Sequence, residues 1–182
     1  MPNVYIALIR GINVGKAKRV AMADLRRLVE NLGYGDVRTL LNSGNVVFTT
    51  KRKAATSGIA TKIEKALTNK TGISARVTVL DADELNQIAE ENSLSEIADN
   101  PSRLQIAVPA SPPDAALFKS LLERDWQDDA LAVGGRAVYM WCPNGLLKSE
   151  IPPAVEKLFG EAVTTRNWKT LSKIHDLAQE LS

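Results

Sequence analysis

Residues 4–10 read VYIALIR, an almost unbroken apolar run that stops at Gly11. A run rich in β-formers and closed by glycine predicts a buried strand. The period then changes. Met22, Leu25, Leu28, Val29 and Leu32 recur at steps of mostly three and four residues, which predicts an amphipathic helix over residues 21–32. Gly33 suits its left-handed cap. Residues 36–41 and 45–50 read as two strands joined by Ser43-Gly44-Asn45, a turn in which Gly44 takes positive φ. Ile59, Ile63, Ala66 and Leu67 mark a second helix ending near Gly72, and residues 75–80 form a fourth strand. The order β-α-β-β-α-β is the ferredoxin-like pattern.

Asp81 followed by Glu84 has the spacing of a capping box and starts an acidic helix over residues 82–92. The polar stretch 92–102 contains Pro101 and predicts a boundary. The pattern then restarts. Residues 103–108 are a strand. Ser111-Pro112 opens a helix whose apolar face is Ala116, Leu117 and Leu121. Residues 130–133 and 137–141 flank Gly134-Gly135, a hairpin turn. Helices follow at 153–159 and 166–181, the last capped by Thr165, with no closing strand between them. The expected fold is α+β, with duplicated ferredoxin-like halves and mainly antiparallel sheets. Its parts are a subdomain at 1–80, an acidic helix and linker at 81–102, and an incomplete subdomain at 103–182.

Composition narrows the class. Of 182 residues, 45% are hydrophobic and mean hydropathy is −0.12, enough apolar material for a core. No apolar run approaches the roughly 20 residues of a membrane span. The N-terminal stretch lacks a secretory pattern. The one cysteine, Cys142, permits no internal disulfide. These features lead us to expect a cytoplasmic protein without membrane association. The net charge of +2 hides an asymmetry. Residues 1–53 carry ten Lys/Arg against three Asp/Glu, whereas residues 81–100 carry seven Asp/Glu and no Lys/Arg. The basic block can attract phosphates; the two blocks can equally solvate separate faces or pair across a dimer.

Chemistry-bearing candidates are few. The loop Gly11-Ile12-Asn13-Val14-Gly15 follows a strand and precedes a helix, where glycines let successive backbone N–H groups form an anion-binding nest. Arg10 ends the strand and can grip a carboxylate or phosphate with two prongs. Ser43 and Asn45 offer hydrogen-bonding groups, although turn chemistry alone also selects them. Arg166 and Asn167 lie off the apolar face of the last helix. His175 is the single histidine, so it builds no histidine-rich metal site, and Cys142 has no histidine near it in sequence. No metal-ligand or nucleophile signature is present, and no cofactor is implied. The sheet of an RNA-recognition module needs central-strand aromatics; here the first strand offers only Tyr5 and the third only Phe48, which disfavours nucleic acid.

The runs YIALIRGINVGKAKRVAMADLRRLVENLGYGDVRTLLNSGNVVF and TTRNWKTLSKIHDLA together resemble the bacterial family called domain of unknown function 1697. The resemblance rests on RGINVG, SGNVVF and TTRNW in that order. Residues 51–150 match in pattern only. It implies a duplicated ferredoxin-like arrangement and no activity, substrate or cofactor. The matching positions are Arg10, Gly11, Asn13, Gly15, Ser43, Gly44, Asn45, Thr165, Arg166, Asn167 and Trp168. After NVG the family commonly has another glycine, and here stands Lys16.

The functional expectation is a protein that binds an anionic, phosphate- or carboxylate-bearing ligand at the loop after the first strand. Arg10, Gly11, Asn13, Gly15, Ser43, Asn45, Arg166 and Asn167 are its candidate binding residues. The alternatives are an interaction module or homodimer without catalysis, and an enzyme on a small phosphorylated metabolite. The sequence names no catalytic residue; Asp24, Cys142 and His175 are weak candidates for a base or nucleophile.

Overall fold

The computed structural model describes all residues, 1–182. Eight strands form two four-stranded antiparallel sheets. The first holds β1 (Asn3–Ile9), β2 (Gly35–Leu40), β3 (Asn45–Thr50) and β4 (Val77–Asp81), in the order β2-β3-β1-β4. The second holds β5 (Leu104–Pro109), β6 (Ala130–Val133), β7 (Val138–Trp141) and β8 (Val163–Asn167), in the equivalent order β6-β7-β5-β8. The helices are α1 (Met22–Asn31), α2 (Thr56–Thr71), α3 (Ala82–Glu90), α4 (Lys119–Leu122), α5 (Ile151–Phe159) and α6 (Trp168–Leu181). The fold is α+β with two ferredoxin-like halves.

The chain divides into two compact units, residues 1–85 with 174–182, and residues 86–173. In the first unit, Tyr5, Ala7 and Ile9 of β1 join Val46 and Phe48 of β3 in a core covered by Leu25 and Val29 of α1 and Ile59, Ile63 and Leu67 of α2. The alternate positions Ile6, Leu8, Val47 and Leu80 are also fully buried, so both sheet faces are covered. That is why β1 reads as a continuous apolar run rather than an alternation. Tyr5 and Phe48, the two aromatics of the central strands, sit in this core with ring centroids 6.1 Å apart. They therefore form no exposed stacking platform. Glu180 pairs with Arg38 of β2 at 3.3 Å, a contact that ties the end of α6 into the first unit.

Local chemistry explains the end of α2 and the start of α3. Gly72 ends α2 in the left-handed region with φ 72°, its N–H donating to the Thr68 carbonyl. The Glu84 N–H donates to Asp81 Oδ1 at 2.9 Å, and the Asp81 N–H donates to Glu84 Oε2 at 3.0 Å, completing the capping box that starts α3. Asp81→Ala should cost about 1 kcal/mol, read as a lower urea midpoint at an unchanged slope.

Three expectations for the second half need correction. A closing strand is present. β8 pairs antiparallel with β5, with Thr165 opposite Ala107 and Arg166 opposite Ile106. Its polar sequence hid it, because only Val163 and Thr164 are buried. Thr165 is therefore in a strand, and Asn167 caps α6 instead, its Oδ1 accepting the Thr170 N–H at 2.9 Å. The helix expected from Ser111-Pro112 is a short 3-10 turn at Ala115–Phe118, capped by Asp114, followed by the four-residue α4. Phe118 is the residue it buries, whereas Leu117 is exposed. The hairpin expected at Gly134-Gly135 is present, with Val133 opposite Val138, and neither glycine has positive φ. Glycine is needed there for space. A Cβ on Gly134 would stand 3.0 Å from the Tyr139 ring, and one on Gly135 would stand 2.5 Å from the Gln87 amide nitrogen.

Candidate functional site

The loop after β1 is built around Asn13. Its Nδ2 donates to the carbonyls of Val20 and Asn42, each at 2.8 Å, and its Oδ1 accepts the Val20 N–H at 2.8 Å. Its own N–H donates to the Lys18 carbonyl at 3.0 Å. One side chain thus closes residues 13–20 into a ring and fastens that ring to the β2–β3 turn. Ile12 and Val20 are buried in the first unit's core and anchor both ends. What lies between, residues 14–19, is exposed.

The backbone alternates in hand. Gly11, Asn13 and Gly15 have φ of 69°, 56° and 63°, and the residues between them are not left-handed. Anion nests alternate right- and left-handed residues; in this loop the Asn13 N–H is already taken by the Lys18 carbonyl. Four basic side chains belong to the segment: Arg10, Lys16, Lys18 and Arg19. Lys18 Nζ donates to the Ser74 carbonyl at 3.3 Å, and the Arg10 N–H donates to the Arg76 carbonyl at 2.9 Å. The segment before β4 therefore belongs to this end of the sheet. Sequence reasoning missed Ser74 and Arg76. The antiparallel pairing of β1 with β4, which sets the start of one beside the end of the other, was the signal for them.

The turn residues are equally committed. Asn45 is buried, and its Nδ2 donates to the Leu40 carbonyl at 2.9 Å and to Ser43 Oγ at 2.8 Å. Gly44 has φ 85° and accepts the Ile9 N–H at its carbonyl. Beside them Leu41 is 55% exposed yet left-handed, with φ 59°. A leucine held so costs roughly 1–2 kcal/mol. Leu41→Gly should raise stability by roughly 0.5–1 kcal/mol, read as an increased melting temperature.

Arg10, Gly11, Asn13, Gly15, Ser43 and Asn45 are thus brought together at one end of the first unit's sheet. Arg166 and Asn167 belong to β8 of the second unit. Burial lowers the Arg166 guanidinium to about 10, so it keeps its charge at neutral pH. Asn167 Oδ1 is occupied in capping α6.

Of the weak catalytic candidates, Cys142 is fully buried, and burial raises its thiol, which disfavours the reactive thiolate. Asp24 lines a groove of about 370 Å3 between α1 and α2, beside apolar Leu28 and Leu32. His175 lies on α6, half-buried, with its Nε2 3.5 Å from the Gln179 amide nitrogen.

The family described as "Protein of unknown function (DUF1697)" matches residues 2–139. The chain belongs to the DUF1697 family. Among solved structures, this DUF1697 protein is similar to the conserved bacterial protein SP0830 from Streptococcus pneumoniae. The TM-score is 0.77 at 24% identity, over 98% of this chain and 99% of that one. At that identity the likeness carries the fold. No curated protein matches the chain significantly. No helix of this DUF1697 protein is long and apolar enough to cross a membrane.

Proposed function

We propose that this DUF1697 protein binds an anionic ligand, phosphate- or carboxylate-bearing, at the loop after β1. The observation that carries the reading is the alternation of left-handed residues at 11, 13 and 15 in a loop that Asn13 holds rigid. Peptide N–H groups in such a backbone supply fixed partial positive charge, and Arg10, Lys16 and Lys18 add full charges. A rigid loop pays little ordering entropy on binding, which favours a small ligand. The setting we infer is cytoplasmic, supported by a lone buried cysteine and no candidate disulfide.

A thermal-shift panel tests the reading on the wild type, Arg10→Ala and Lys18→Gln. The compounds are inorganic phosphate, nucleotides, sugar phosphates, dicarboxylates and a short RNA. A compound present at 100 times its dissociation constant should stabilise the wild type by about 2.7 kcal/mol. The expected result is a shift with one phosphate or carboxylate class, reduced in both variants. Equal shifts in all three proteins would move the ligand elsewhere, and no shift with any compound would end the anion reading.

A second reading, a protein-binding face, is favoured by Val14 and Leu41. They are 71% and 55% exposed, on two segments that the Asn13–Asn42 bond joins. Sedimentation as a dimer in the wild type and as a monomer in Leu41→Asn would support self-association there.

A further inference from the structure

The second unit carries a cleft that the anion reading does not use. It has a volume of about 510 Å3, within the range of small-ligand sites. Its lining includes the indole of Trp126, which packs against the unit's core. The indole Nε1 donates to the Leu121 carbonyl at 2.7 Å, which fixes the ring. Over that ring lies the guanidinium of Arg124, 4.3 Å from the ring centroid. The same guanidinium pairs with Glu150. A flat cation stacked on an indole and held by a carboxylate is how proteins grip a guanidinium from outside. Here the chain's own arginine fills the place.

The surroundings ask for more positive charge than Arg124 brings. Asp125, Asp128 and Asp129 also line the cleft, against one further cation, Lys148. Asp129 accepts the Ser149 hydroxyl at 2.6 Å and Asp128 accepts the Asn144 amide at 3.4 Å. Each carboxylate keeps acceptor capacity beyond that single bond. The Arg124 and Glu150 side chains are 51% and 73% exposed, so opening their pair forfeits little. Beside Lys148 stands Leu147, fully exposed, with half-exposed Leu146 before it. Exposed leucines adjacent in sequence to the cleft residue Lys148 offer a peptide segment apolar contact that a free polar metabolite would not use.

The geometry points to a guanidinium-binding site, self-occupied by Arg124, whose external occupant is an arginine side chain on a partner protein segment with an apolar neighbour. The incoming guanidinium takes the indole face and Glu150. Arg124 swings into water, where its charge is solvated. The site therefore has a built-in competitor that lowers the apparent affinity of every external occupant by the same factor.

The test follows the three indole N–H resonances of the full-length protein, with that of Trp126 assigned by Trp126→Phe. N-acetyl-arginyl-leucinamide, its lysyl counterpart and agmatine are titrated in turn. The expected result is a saturable shift of the Trp126 signal with the arginyl peptide, weaker with agmatine and weakest with the lysyl peptide. Arg124→Gln should bind the arginyl peptide about threefold more tightly, because the exposed competitor is gone. Glu150→Gln, a surface change that leaves the core untouched, should weaken it. Agmatine binding as well as the peptide would overturn the protein-segment occupant. The absence of a saturable shift, equal binding of the lysyl peptide, or unchanged affinity in Arg124→Gln would overturn the site.

Discussion

Gly44→Ala should lower stability by about 3 kcal/mol, a melting-temperature loss on the order of 10 °C. Two costs combine. At φ 85° any L side chain is strained by roughly 1–2 kcal/mol. A Cβ there would also stand 2.8 Å from Ile12 Cδ1, 3.0 Å from Ile12 Cγ1 and 3.0 Å from Ile9 Cβ. Ile9 and Ile12 are fully buried, so neither side chain has room to retreat. Gly11 provides the control. Its φ is 69°, but nothing lies within 4 Å of its would-be Cβ. Gly11→Ala should therefore pay the backbone strain alone, about 1 kcal/mol. Equal losses at the two positions would show that packing at the turn plays no part. Chemical denaturation of both variants, compared at equal slope, separates the cases.

Asn13→Ala should cost about 4 kcal/mol and loosen the loop without disturbing the sheet. The substitution removes three side-chain hydrogen bonds, each worth about 1 kcal/mol, and also places alanine at φ 56°. Asn13→Gly removes the same bonds but tolerates the backbone. The difference between the two variants, about 1 kcal/mol, measures the strain alone. Hydrogen exchange gives a local reading, because the Val20 N–H donates to Asn13 Oδ1. Its exchange should quicken at least tenfold in both variants, while amides of β1 and β3 keep their protection. If Val20 exchange is unchanged, Asn13 does not organise the loop. An anion bound by that backbone would then lose no affinity in either variant.

The first half of the fold was legible because its elements change their apolar period and several are bounded by a glycine in the left-handed region, as at Gly33, Gly44 and Gly72. β8 was not legible. A strand made of Val-Thr-Thr-Arg-Asn is defined by its partner β5 rather than by its own pattern. The same dependence on partners hid the reason for Gly134 and Gly135, whose neighbours Gln87, Glu91 and Tyr139 come from other elements. At the candidate site, the residue types at 10–15 and 43–45 marked the segment. What they do there depended on contacts distant in sequence. The bond from Asn13 to Asn42 and the approach of Lys18 to Ser74 follow from sheet order, which a single chain pattern does not display.

The first compact unit is interrupted in sequence: residues 1–85 are joined in it by 174–182, whereas the second unit runs unbroken over 86–173. A ribosome delivers the chain from its N-terminus, so the part of the first unit that emerges earliest waits longest for its complement. Arg38 leaves the exit tunnel with no Glu180 yet made. The second unit, begun later, has all its residues first. Order of synthesis and order of completion are inverted, and a nascent chain that has cleared the exit tunnel only as far as residue 173 would hold all of the second unit and an unfinished first one.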